Sequence, residues 1–179
     1  MTTTVSDSGS TLTATTATKI GNGSVTFSSG AGGSLGKLYV DADQLGFGGA
    51  GNLIIQGAAA VMAGITEIST RNTVGPAPSQ NVVTVTGAGS AFTQTGNSTL
   101  VIESSATDGS QGSAMLNVDD GGSFTSGTGI VTLNPSGTIQ INGGTLDLKG
   151  PLSRAGGMLN FNSGGLRIVE NFVVGTGGL

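Results

Sequence analysis

Short runs of alternating apolar and polar residues recur along the chain at nearly constant spacing. In the second half the leading apolar residue of each run is Leu116, Phe124, Val131, Ile139, Leu146, Leu152, Leu159, Leu166 and Val173. Successive gaps are 8, 7, 8, 7, 6, 7, 7 and 7. A strand of four or five residues with one buried face, plus a short corner, fills such a gap. Taking every third position gives three columns: Leu116, Ile139, Leu159; Phe124, Leu146, Leu166; Val131, Leu152, Val173. The step from one member of a column to the next falls inside the window expected of solenoid repeats. The predicted fold is all-β: a right-handed parallel β-helix, or β-solenoid, with three-sided coils of about 21–22 residues.

The corners have their own signature. Gly-Gly-Ser-Leu at 32–35, Gly-Gly-Ser-Phe at 121–124 and Gly-Gly-Thr-Leu at 143–146 are variants of one phrase, shortened to Gly-Gly-Leu at 164–166 and 177–179. Leu116-Asn117-Val118-Asp119 and Ile139-Gln140-Ile141-Asn142 run directly into Gly, or into an Asp and then Gly, and Leu159-Asn160-Phe161-Asn162 precedes Ser163-Gly164-Gly165. Asp and Asn tolerate left-handed backbone and hydrogen-bond locally, so Asp119, Asn142 and Asn162 are expected to form a polar corner ladder.

The first half follows the rule less closely. Leu38, Leu45, Leu53, Val61 and Ile68 are spaced by 7, 8, 8 and 7, and Val83, Phe92 and Leu100 follow at 9 and 8. Loops are expected at 74–80, where Pro76 and Pro78 cannot donate to a ladder, and at 104–110, a polar stretch. Pro135 and Pro151 fall at expected corners. The expected organisation is a Thr/Ser-rich cap or leader over 1–20, then one solenoid domain over 21–179, about eight coils in all. Thr11-Leu12-Thr13-Ala14-Thr15-Thr16-Ala17-Thr18 is open to three readings: a disordered leader, a strand capping the first coil, or a strand pairing with a neighbouring molecule. An antiparallel sandwich, with hairpin turns at Asn22-Gly23 and Asn142-Gly143, is the alternative all-β fold.

Composition sharpens this picture. Of 179 residues 34 are Gly, 9% are charged, and Cys, His and Trp are absent. Long runs of strong helix formers are missing, while Thr, Val and Ile suit pleated strands. Hydrophobic residues make up 36% of the chain and are regularly placed, which argues against disorder. Gly does not recur every third residue, so collagen is excluded. The net charge is −4, and Lys19, Lys37, Arg71, Lys149, Arg154 and Arg167 form no basic stripe. With so few aromatics to stack bases, nucleic-acid binding is not expected. No apolar run approaches a membrane span, and residues 1–20 lack the basic and apolar regions of a signal peptide.

Val83-Thr84-Val85-Thr86-Gly87-Ala88-Gly89-Ser90-Ala91-Phe92 and Gly137-Thr138-Ile139-Gln140-Ile141-Asn142-Gly143-Gly144-Thr145-Leu146 resemble the passenger repeats of bacterial autotransporters and related large secreted surface proteins. The resemblance covers residues 36–179 and is weakest over the Thr-rich start. It implies a right-handed parallel β-helix displayed outside the cell, often as an adhesin or stalk. The 179 residues contain no signal peptide, membrane barrel or sorting tail, so those parts are expected elsewhere, or the chain is a free-standing unit.

Chemistry-bearing residues are sparse. The acids are Asp7, Asp41, Asp43, Glu67, Glu103, Asp108, Asp119, Asp120, Asp147 and Glu170. Clustered carboxylates serve glycoside cleavage in some β-helices, but Asp119 and Asp120 should point in opposite directions as strand neighbours. No His or Cys can act as base or nucleophile. Asp41-Ala42-Asp43 and Asp119-Asp120 are the candidate calcium chelators, with turn-forming Asp the plainer explanation. The outward positions Asn117, Thr125, Thr132, Gln140, Asp147, Asn160 and Arg167 do not make the uniform Thr column of an ice-binding face. No catalytic, cofactor or metal residue is therefore assigned. The expected function is a non-enzymatic extracellular or cell-surface structural module. The alternatives are a fibre subunit stacking through open coil ends, suggested by the uncapped Gly177-Gly178-Leu179, and a polysaccharide-binding or polysaccharide-active β-helix. The expected partners are further copies of the chain and surface glycans, without nucleic acid or membrane insertion.

Overall fold

In the computed structural model, residues 1–42, 50–70, 80–104 and 112–169 are described. Alternating burial makes nearly every one of these stretches a strand, and parallel pairing stacks the strands in layers. The first layer holds β1 (Thr2–Val5) and β2 (Thr11–Ile20), the second β3 (Gly23–Phe27) and β4 (Gly32–Ala42). The third holds β5 (Gly51–Ile55), β6 (Ala60–Ala63) and β7 (Thr66–Thr70). The fourth holds β8 (Gln80–Thr86), β9 (Ala91–Gln94) and β10 (Leu100–Ser104). The fifth holds β11 (Ser113–Asp119), β12 (Ser123–Thr125) and β13 (Val131–Leu133). β14 (Gly137–Leu148) and β15 (Leu152–Arg154) make the sixth, and β16 (Met158–Ile168) the seventh. The sixteen strands form one sheet in which every described pairing is parallel, and no helix occurs among the described residues. This is consistent with a β-solenoid. It rules out the antiparallel sandwich for these residues, and Asn142 lies inside β14 rather than at a hairpin turn.

Pairing sorts the strands into three sets. In the first, Val25 pairs with Leu53, Leu53 with Val83, Val83 with Leu116, Leu116 with Ile139 and Ile139 with Leu159. In the second, Val61, Phe92, Phe124, Leu146 and Leu166 align in that order. In the third, Leu38, Thr66, Leu100, Val131 and Leu152 align. The three columns expected for the second half are thus in register wherever they are described; Val173 lies outside the described residues. Most inward members are fully sealed, among them Leu116, Phe124, Val131, Ile139 and Leu146 at 0% exposure. Phe92 and Phe124 meet edge to face, with centroids 5.1 Å apart and an interplanar angle of 88°. Edge-to-face contact aligns the quadrupoles better than a face-to-face stack would.

Two positions of the first half are corrected. The residue between Leu38 and Leu100 in the third set is Thr66, not Ile68, which belongs further along the strand, opposite Ile102. Thr66 is fully buried and its hydroxyl donates to the Gly64 carbonyl, 3.2 Å away, which lets a polar residue take an inward place. In Gly32–Leu35 the residue level with Val61 is Gly33 rather than Leu35. The Phe27 ring fills the space there: a Cβ on Gly33 would come within 2.9 Å of it.

The repeat length also departs from the expected value in the middle of the stack. Thr2 pairs with Ser24 and Ile139 with Leu159, close to expectation. Val25, Leu53, Val83 and Leu116 follow one another at wider steps, each longer than any column step of the second half. Each longer step contains one of the segments 43–49, 71–79 and 105–111, all leaving from the end of a third-set strand and returning at a first-set strand. The described residues form seven layers, where about eight coils were expected over the whole chain. Leu45 and most of the expected loops at 74–80 and 104–110 lie outside the described residues. At their edges Gln80 opens β8 and Ser104 closes β10, because both are held in register by neighbouring layers.

Residues 1–20 take part in the stack. β1 pairs with β3, and β2 pairs with β4 along nearly its whole length.

Candidate functional site

The corner between the first and second sets bends through left-handed backbone. Asp7, Ser29, Ala58 and Asp120 have φ of 78°, 55°, 64° and 48°, and Gly143 and Gly164 occupy the turn in the last two layers at 84° and 106°. Here lies the expected polar ladder. The Asn142 amide donates to Asp119 Oδ1 at 3.0 Å, and the Asn162 amide donates to Asn142 Oδ1 at 2.5 Å. Asp119 is therefore half-buried and engaged in holding layers together, while Asp120 is exposed at the turn. The two carboxylates do not share a site.

The other acids are dispersed. Asp147 faces outward beside Arg167, whose guanidinium lies 3.6 Å from its carboxylate. Glu103 accepts a 2.8 Å hydrogen bond from the Asn134 amide one layer on. Asp41 stands opposite Ser69 in the register, and its candidate partner Asp43 lies outside the described residues, as do Asp108 and Glu170. Among the described residues no three acidic side chains gather in a group that could hold a metal ion.

Two polar clusters escaped the sequence reading. Asn81, fully buried, fills the corner where β7 gives way to β8. Its Oδ1 accepts the Gly51 backbone N–H at 2.7 Å, and its Nδ2 donates to the Ser69 carbonyl at 2.5 Å. The second cluster lies where the second set turns into the third. That corner is short between β6 and β7 but longer in the next two layers, where it covers 95–99 and 126–130. The longer corners stack, with Thr128 donating from its N–H to the Gly96 carbonyl at 3.0 Å. Beneath them Gln94 donates to the carbonyls of Gly64 and Thr99 at 3.3 and 2.9 Å. Ser126 Oγ accepts the Lys149 N–H at 2.9 Å and donates to the Gly127 carbonyl at 2.8 Å. Gln94, Gly96, Asn97, Ser126, Gly127, Thr128 and the exposed Lys149 line a cleft of about 330 Å³. The cleft offers hydroxyl, amide, carbonyl and ammonium groups, a set suited to hydrogen bonding.

Strand phase was the signal that could have found these residues. Asn81 alternates with Val83 and Val85, Gln94 with Phe92, and Ser126 with Phe124, so each occupies an inward position. Comparison with known proteins gives no match to the chain: no family model, no curated protein and no solved structure is similar to it.

Proposed function

We propose that the chain is a non-enzymatic structural module of an extracellular or bacterial cell-surface protein, built as a right-handed, three-sided β-helix and serving as a stalk or adhesin-like passenger segment. The observation that carries this reading is the continuous apolar interior, which runs from Ile20 and Phe27 through every intermediate layer to Leu159 within one parallel sheet. Such a stack gives length and stiffness, with a surface made of short polar ladders. The three pairing sets support a three-sided coil. The strong right-handed preference of connections between parallel strands of one sheet supports the hand. The autotransporter-like phrases at 83–92 and 137–146 support display outside the cell.

The test is surface accessibility in the source cells. Protease added to intact cells should degrade the protein, and antibody should label it without permeabilisation. Protection until the cells are lysed would overturn the reading. A panel of polysaccharides incubated with the purified protein should show no depolymerisation, and cleavage of any of them would equally overturn it.

The cleft favours one second reading, glycan contact. Its volume and its hydroxyl, amide and ammonium lining suit a single sugar unit. Loss of glycan-array signal on Lys149→Ala and Asn97→Ala together would support it, and an array without signal for the unaltered chain would remove it.

A further inference from the structure

Two exposed asparagines stand at the spacing of a glycan acceptor, Asn-x-Ser/Thr with a middle residue other than proline: Asn22-Gly23-Ser24 and Asn97-Ser98-Thr99. Asn134-Pro135-Ser136 has the spacing, but Pro135 blocks it. The surroundings of the first two differ. Beside Asn22 the ladder takes up both following residues. Gly23 donates its N–H to the Ala50 carbonyl at 3.0 Å, and the Ser24 hydroxyl lies 3.5 Å from that of Thr2.

Asn97 stands in the turn of the long corner 95–99, outside the strands. Gly96 precedes it with φ of 60° and open space around its Cα. The turn is nonetheless fixed at both feet. Thr95 donates its N–H to the Ala63 carbonyl at 2.9 Å, and the Thr99 carbonyl accepts the Thr66 N–H at 3.0 Å. The Ser98 hydroxyl closes the turn on the Thr95 carbonyl at 2.5 Å. Gly127 and Gly129 let the next corner pack tightly beneath: a Cβ on them would come within 2.7 and 2.6 Å of the Ser98 carbonyl oxygen. Asn97 Oδ1 lies 3.3 Å from the Thr128 hydroxyl, in reach of its hydrogen. No described residue engages Asn97 Nδ2 or the Thr99 hydroxyl, the two groups an acceptor site must offer. Nδ2 also stands beside the cleft of about 330 Å³, whose size and polar lining suit one sugar unit.

We propose that Asn97 carries an N-linked glycan whose first sugar lies in this cleft. Nδ2 attacks the anomeric carbon of a sugar activated as a diphosphate ester and held by a glycosyltransferase. The N–C bond forms, the C–O bond to the diphosphate breaks, the diphosphate leaves with the electron pair, and one Nδ2 proton passes to a base of the transferase. Oδ1 is unchanged, so its contact with Thr128 survives. The sugar hydroxyls then face the Thr128 hydroxyl, the Lys149 ammonium and the backbone of Gly96 and Gly127. The sugar is thus the chain's own, distinct from capture of a separate glycan. Transfer to this sequence is a property of exported proteins, so the assignment rests on the extracellular reading proposed above.

The test is mass spectrometry of peptides from the full chain, recovered from cells on which protease accessibility has first been measured. The peptide containing Asn97 should carry the added mass of a sugar, and the one containing Asn22 should not. Asn97→Gln and Thr99→Ala should each abolish the added mass, the second with the acceptor still in place, and Thr99→Ser should restore it. Lys149 should react several-fold more slowly with an amine reagent in the sugar-bearing chain than in Asn97→Gln. Surface-exposed chain with Asn97 unmodified would overturn the assignment and leave the extracellular reading standing. Chain protected inside the cells would overturn both. Added mass that persists in Asn97→Gln would place the sugar elsewhere, and equal Lys149 reactivity would remove it from the cleft.

Discussion

At the residue scale the decisive property is phase. Leu146 points inward and is fully buried, whereas its neighbour Asp147 points outward with its side chain 20% exposed. Leu146→Asp places a carboxylate among apolar side chains and should cost more than about 4 kcal/mol, enough to unfold a marginally stable chain. Asp147→Asn loses the ion pair with the exposed Arg167, keeps the side chain's shape, and should change stability by less than about 1 kcal/mol. Urea unfolding of the two variants checks the pair, and equal effects would contradict the register. Asn81 obeys the same geometry with opposite chemistry. It is a polar residue at an inward position, tolerated because both ends of its amide are engaged by Gly51 and Ser69. Asn81→Ala leaves a buried N–H and a buried carbonyl without partners and should destabilise by roughly 2–4 kcal/mol in the same assay.

At the element scale, close approach between layers governs which corners can change. A Cβ on Gly122 would collide with the Val85 carbonyl oxygen of the layer before. Gly122→Ala must push two layers apart and should cost about 2–3 kcal/mol. Gly9 has φ of 91° and open space around it, so Gly9→Ala meets only backbone strain, about 1 kcal/mol. Thermal unfolding should rank the two in that order. The same contrast explains how much of the fold was legible. The column through Leu116, Ile139 and Leu159 could be read directly because every inward place it takes from β3 to β16 is apolar. The corner ladder of Asp119, Asn142 and Asn162 was legible because a polar residue stands one or two places before each left-handed residue, Asp120, Gly143 and Gly164. Counting lead apolar residues failed where the inward place belongs to Thr66 or Gly33, whose fitness depends on the Gly64 carbonyl and on the Phe27 ring of the same layer. The cleft was illegible for a related reason. It arises from two long corners stacking, and corner length has meaning only once the layers are aligned.

At the scale of the whole molecule, the interior is one continuous column set and the surface is a series of ladders. Distance along the stack therefore depends on layer number and hardly at all on sequence separation. Thr26, Ile54, Thr84, Asn117, Gln140 and Asn160 occupy one outward column, one residue per layer. The most direct test is pulsed electron spin resonance on spin-label pairs placed at Thr26 with Asn117, Thr26 with Gln140, and Thr26 with Asn160. Labelled chain is diluted into unlabelled chain to suppress contacts between copies. Backbone separations of about 14, 19 and 24 Å are predicted, rising by one strand spacing per layer. Distances that fail to rise in equal steps, or that spread without a defined maximum, would contradict the layered parallel stack.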